Sequence, residues 1–125
     1  MSTLKVTNIQ DTGGSNNSTS AEIYSGRAKA WVNFNATGTV AIRASYNVSS
    51  ITDNGTGDYT VNFTTALADA NYSVVGVTGG WGSPYNYATV NVGNGATPST
   101  TTVRISTRTG GTSYDEVAVC ISVFR

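Results

Sequence analysis

Two short segments near the middle of the chain alternate between apolar and polar side chains. In the first, apolar side chains take every second position, at Tyr59, Val61 and Phe63. After an alanine-rich link, the second repeats the pattern with Tyr72 and Val74. Because successive side chains of a β-strand point to opposite faces, this spacing predicts two strands with one face in a core and the other in water.

The composition also favours strands over helices. Charged residues make up 11% of the chain, well under the usual ~25%, and Thr, Ser, Asn and Gly take their place. These four residue types compete with helical hydrogen bonding and suit turns and sheet edges. We therefore expect an all-β protein.

Comparable runs recur along the chain, separated by turn residues such as those of Asn54-Gly55. They lie at 30–34, 40–48, 58–64, 72–75, 87–92, 101–106 and 117–124. This arrangement predicts an antiparallel β-sandwich of about seven strands with a short extended N-terminal arm. The last run is apolar on both faces, which is expected of a central strand. The only helix expected is a single turn at 66–70.

The apolar residues at alternate positions of these runs form the expected core. They are Val32, Phe34, Val40, Ile42, Tyr59, Val61, Phe63, Val74, Val90, Val103, Ile105, Val119 and Ile121. The run at 40–48 is predicted to be one strand, whose long apolar face is formed by Val40, Ile42, Ala44, Tyr46 and Val48.

The chain divides into two unequal parts. Residues 1–25 combine a short strand-like stretch with a polar, glycine-containing stretch that has no means of building a core. We interpret them as an N-terminal arm and linker for attachment or oligomerisation. Residues 26–125 are predicted to form the sandwich domain, since a chain of this length has room for one hydrophobic core.

Charge and hydropathy exclude several classes of partner. Seven acidic and seven basic side chains cancel, so we expect no nucleic acid partner and no attraction to anionic lipid. The apolar stretches are far shorter than the ~20 residues that cross a bilayer, and the first residues lack the apolar stretch of a signal peptide. We therefore expect neither membrane insertion nor export.

Nucleophilic and metal chemistry have little support in the sequence. The chain has no histidine and one cysteine, Cys120, which excludes a Cys/His pair and a His/Cys zinc site. A single cysteine suits a reducing cytosol, and Cys120 is expected to be a buried thiol in the last strand.

The carboxylates are the remaining candidates for catalysis. A glycosidase that degrades a surface polysaccharide would need two of them across a cleft. Asp53 with Asp58, and Asp115 with Glu116, are interpreted instead as solvated turn residues. A calcium site at Asp53, Asn54 and Asp58 matches no recognised loop. We expect no catalytic residue, no metal and no cofactor, and hence no enzyme.

One aromatic loop is the candidate binding site. Trp81, Tyr85, Asn86 and Tyr87 lie among glycine, serine and proline, where no periodicity directs them toward a core. Aromatic side chains on loops supply contact area at low entropic cost, and sugar rings stack on them. The loop is therefore a candidate receptor- or glycan-binding site. The alternative is that Trp81 caps the sandwich or packs against another subunit.

Three stretches, 2–12, 26–43 and 57–75, resemble segments of bacteriophage tail-fibre and virion appendage proteins, particularly small structural proteins of marine and cyanobacterial phages. The region 78–112 shares no such resemblance. The resemblance implies a non-enzymatic virion protein, made in the host bacterial cytoplasm, that acts as a homotrimeric tail-fibre or appendage tip in host attachment. A capsid decoration protein is the alternative.

The resemblance also implies three kinds of partner. They are further copies of the chain, other virion proteins bound through the N-terminal arm, and a glycan or protein of the host surface. An extended arm can attach by adding a strand to a neighbouring sheet.

Overall fold

The computed structural model describes residues 1–80 and 88–125. Eleven strands and one helix occur in these two ranges: β1 (Asn8–Ile9), β2 (Ser18–Thr19), α1 (Ser20–Gly26), β3 (Ala30–Asn35), β4 (Ala41–Tyr46), β5 (Val48–Gly55), β6 (Asp58–Phe63), β7 (Ser73–Gly79), β8 (Thr89–Val92), β9 (Thr102–Thr109), β10 (Thr112–Ser113) and β11 (Ala118–Phe124). The all-β prediction is confirmed.

Two antiparallel sheets form the sandwich. The first sheet has the strand order β4-β3-β11-β7, and the second has β10-β9-β6-β5 with β8 also paired to β9. β1 and β2 pair only with each other. The described ranges hold more strands than the seven expected, because β1, β2 and β10 have two residues each and the run at 40–48 is split.

The core lies between the inner faces of the two sheets. The T-shaped contact of Phe34 in β3 with Tyr59 in β6, at 5.3 Å between ring centroids, joins the sheets. Nine predicted core residues are buried: Val32, Phe34, Tyr59, Val61, Phe63, Val103, Ile105, Val119 and Ile121. Three more, Val40, Val74 and Val90, are partly buried against this cluster. Ile42 is 37% exposed, so its assignment to the core was wrong.

The error at Ile42 follows from the run at 40–48, which is two strands rather than one. At Asn47 the chain leaves the first sheet for the second, with φ of 54°, a left-handed conformation that Asn tolerates better than most residues. The Asn47 side chain holds this corner. It accepts from the Thr65 amide at 2.7 Å and donates to the Lys29 carbonyl at 3.1 Å. β4 is consequently an exposed edge strand.

The predicted turn before the run at 58–64 is present between β5 and β6, and Gly57 in it is sterically required. Gly57 has φ of 62°, and a Cβ there would lie 2.7 Å from the Thr107 carbonyl oxygen and 2.8 Å from the Tyr114 amide. The hairpin of β5 and β6 therefore packs backbone to backbone against Thr107 in β9 and Tyr114 after β10.

The helix lies elsewhere than predicted. Residues 66–70 form no helical turn, because Leu67 packs into the core and its amide donates to the Thr100 carbonyl at 2.8 Å. The helix is α1, which begins at a capping box: Glu22 donates its amide to Thr19 Oγ1, and its carboxylate accepts from the Thr19 amide.

Candidate functional site

The predicted aromatic site, Trp81, Tyr85, Asn86 and Tyr87, lies outside the described residues and stays a prediction. The two ends that flank it are held together, since Thr78 Oγ1 donates to the Ala88 carbonyl at 2.5 Å.

A small polar cleft of about 370 Å³ is lined by residues of β8, of β9 and of the turn that follows β9. Arg108 Nη2 donates to Asn94 Oδ1 at 2.6 Å on its wall, and the buried Arg108 Nε has no partner within the described ranges. Thr89, Asn91 and Ser106 add hydroxyl and amide groups.

Two of the carboxylates considered for catalysis, Asp58 and Asp53, are held by contacts within the second sheet. Asp58 is paired with Arg104 at 2.6 Å, and this guanidinium holds the pKa of Asp58 below its usual value. Asp53 accepts from the Gly55 amide at 2.9 Å, as a turn residue should. No cluster of three or more potential metal ligands occurs in residues 1–80 and 88–125.

The prediction that Asp115 and Glu116 are solvated turn residues was wrong for Glu116. Its side chain is 1% exposed, its Oε2 has no partner in the part of the chain that the structure describes, and burial raises its pKa. Asp115 is exposed but accepts from the Tyr59 hydroxyl at 2.5 Å. Asp115 therefore links β6 to the segment that precedes β11.

The most unusual surface is the side of the first sheet that faces away from the core. We call it the outer apolar face, and it consists of Trp31, Ala44, Tyr46, Val75, Val77, Cys120 and Phe124. Strand register sets one row across all four strands: Tyr46 lies opposite Trp31, Trp31 opposite Ser122, and Ser122 opposite Val75.

The large side chains of this face are open to solvent in the single chain. Val77 is 64% exposed, Val75 63%, Tyr46 51% and Trp31 39%. Cys120 belongs to the same face and is half-buried, which corrects its assignment as a buried thiol. Ser122 and Asn33 interrupt the apolar side chains in these rows. A cluster of exposed apolar side chains on one sheet face indicates an interaction site.

The outer face of the second sheet is polar, as expected for a sheet with one side in water. Arg104 pairs with Asp58 across β9 and β6. Asn62 donates to Ser50 Oγ and Thr52 Oγ1 at 3.0 Å each, which links β6 to β5. The two outer faces therefore differ, since the second sheet presents an ion pair with amide and hydroxyl groups where the first presents apolar side chains.

The N-terminal arm carries apolar side chains that do not join the core. Leu4 is 85% exposed, Ile9 56% and Val6 44%. Within the arm, the Ser20 amide at the start of α1 donates to the Thr7 carbonyl at 3.2 Å.

No protein family, curated protein or solved structure matches this chain. No helix in the described ranges is long and apolar enough to cross a membrane.

Sequence reasoning missed the outer apolar face. The signals were the neighbouring valines Val74 and Val75, only one of which can face the core, and Trp31 between the core residues Ala30 and Val32.

Proposed function

We propose that this protein is a non-catalytic structural component of a bacteriophage virion. In this proposal it is a tail-fibre or appendage tip that contributes to host-surface attachment and acts as a homotrimer. The resemblance of 2–12, 26–43 and 57–75 to such proteins supports the virion role. The outer apolar face is the single observation that supports assembly.

Burial of the outer apolar face against further copies would remove its exposed valines and aromatic rings from water, which is favourable. One charged group, the Arg43 guanidinium, lies on this side of the sheet, where it donates to Asn33 Oδ1 at 3.3 Å and to the Val117 carbonyl at 2.6 Å. A polar margin of this kind around an apolar centre is ordinary in interfaces between protein chains.

The extent of the face suits an interface. Its central and edge strands β11 and β7 are seven residues long. At standard strand spacing and rise, four such strands cover roughly 20 Å by 23 Å. That is enough to supply a large part of the about 800 Å² that each partner buries in an interface of ordinary size.

The arm gives the proposal its second contact. Leu4 and Val6 alternate with polar residues in an exposed stretch that makes no sheet with the sandwich. Such a segment could add to the sheet edge of another virion protein through main-chain hydrogen bonds.

Immunogold electron microscopy of purified particles tests the virion role. An antibody against this protein should label the tail end of the phage that encodes it. Label over the capsid shell would replace the tail-fibre role with that of a decoration protein. Particles that carry no label, from a preparation in which a known virion protein is labelled, would overturn the proposal.

A further inference from the structure

A second cleft, of about 640 Å³, lies where α1, the corner at Asn47 and the loop 64–68 come together. Three of the seven basic side chains of the protein line it: Arg27, Lys29 and Arg125. Two tyrosine rings, Tyr24 and Tyr46, line it as well. We call it the basic cleft.

Arg27 and Lys29 both lie against the ring of Tyr24. Lys29 Nζ lies 3.9 Å from the centroid of the Tyr24 ring, and Arg27 Cζ lies 5.2 Å from the same centroid. The Lys29 ammonium also donates to the carbonyls of Tyr24 and Arg27. Lys29 is thus fixed in position at 9% exposure, while Arg27 is exposed at the opening.

The positive charge of the cleft is only partly balanced. Arg125 forms a salt bridge with Asp69. Within residues 1–80 and 88–125, neither Arg27 nor Lys29 has a salt bridge to a carboxylate. Loss of solvent around Lys29, together with the positive charge of Arg27, lowers the pKa of Lys29. An anion in the cleft would relieve this repulsion and complete the hydrogen bonding of Arg27.

We infer that the basic cleft binds an acidic saccharide, with its anionic group on Arg27 and Lys29 and a sugar ring against Tyr24. Tyr24 is 54% exposed and lies outside the outer apolar face, so a ligand can reach its ring. Thr64 and Thr65 add hydroxyl groups that can bond sugar hydroxyls. The volume lies within the range of small-molecule sites.

The biological setting of this inference rests on the proposed attachment function, for which it names a ligand class. Saccharide binding is measured on the purified protein, whereas virion location is measured on phage particles. A failure of the saccharide inference is therefore distinguishable from a failure of the virion proposal.

The test is a titration of the ¹⁵N-labelled full chain followed by amide shifts. Trigalacturonate supplies the carboxylate, and its fully methyl-esterified form is the neutral match. Glucose 6-phosphate and glucose form the corresponding phosphate pair. The acidic member of at least one pair should shift the amides of residues 24–29 and 64–68, and its neutral partner should leave them unchanged.

Two charge-removing variants locate the binding. Arg27→Gln should weaken binding of the acidic ligand about tenfold or more, as expected for the loss of a charge-assisted hydrogen bond. Lys5→Gln removes the same charge from the exposed arm and should leave the affinity unchanged. The inference is overturned if neither acidic ligand shifts these amides at millimolar concentration, if the neutral partners bind equally well, or if the two variants weaken binding alike.

Discussion

The Tyr59 hydroxyl donates a 2.5 Å hydrogen bond to Asp115 Oδ1, the same oxygen that accepts from the Gly57 amide at 2.7 Å. Tyr59 is fully buried in β6, and Asp115 precedes β11 of the other sheet. Burial, and secondarily the Asp115 carboxylate, raises the pKa of Tyr59. The bond therefore joins β6 of the second sheet to the segment that leads into β11 of the first.

Tyr59→Phe removes this donor while it keeps the ring and its contact with Phe34. A hydrogen bond to a charged acceptor is worth about 1.5–3 kcal/mol, so the free energy of unfolding should fall by that amount in urea denaturation. Lys5→Gln, in the exposed arm, is the control. A Tyr59→Phe protein as stable as the wild type would show that the bond contributes nothing.

Phe63→Ala should destabilise the protein by about 3–5 kcal/mol, because Phe63 is 7% exposed and packs edge-on against Tyr72. Ile42→Ala is the comparison, since Ile42 lies on an exposed edge strand. Its cost should be below about 1 kcal/mol. Thermal and urea unfolding of both variants check this, and equal losses would contradict the placement of the core.

Glu116 should make the protein less stable as the pH rises. Because burial raises its pKa in the folded state above the usual 4.5, the folded chain binds the proton more tightly than the unfolded chain. Its contribution to stability is present below the unfolded pKa and is lost as the pH rises through the folded pKa.

Glu116→Gln keeps the size of the side chain and removes this titration. The variant should gain stability relative to the wild type as the pH rises above the ordinary carboxyl pKa of 4.5, measured by urea denaturation across a range of pH. The paired acids Asp58 and Asp69, whose pKa values are lowered, affect both proteins equally. A constant difference between the two proteins across this range would contradict the prediction.

Gly76→Ala should clash with Val90 across the gap between β7 and β8, because a Cβ at position 76 would lie 2.8 Å from Val90 Cβ. Overpacking of this kind costs about 1–3 kcal/mol. Val90→Ala in the same chain should recover part of that loss, which a double-mutant cycle measures. Additive losses would mean that the two positions do not touch.

The alternation of apolar and polar residues was sufficient to predict the central strands β3, β6, β9 and β11. Each of these strands places the apolar side chains of one face in the core. The same pattern gave a wrong prediction at 40–48. Apolar residues occupy every second position on both sides of Asn47, although the backbone turns there from one strand into the next. The buried Glu116 follows from tertiary packing, which no local pattern contains. The helix α1 was detectable from the spacing of Thr19 and Glu22.

The basic cleft was beyond prediction for another reason. Its residues come from α1, from the corner at Asn47, from the loop 64–68 and from Arg125 at the end of the chain. In the sequence the basic side chains are scattered, and only the fold brings three of them to one place.

The central claim is that the outer apolar face joins copies of this chain. Light scattering coupled to size-exclusion chromatography tests it with two matched variants. Val77→Lys places a charge on the edge strand β7 of the apolar sheet, and Thr52→Lys places one on the edge strand β5 of the polar sheet. Both positions are exposed in the single chain, so both variants should fold.

The wild type and Thr52→Lys should have three times the 13.0 kDa mass of one chain, and Val77→Lys should run as a monomer because like charges would meet in the interface. A wild type that is monomeric, or a Val77→Lys protein with the same mass as Thr52→Lys, would contradict the claim.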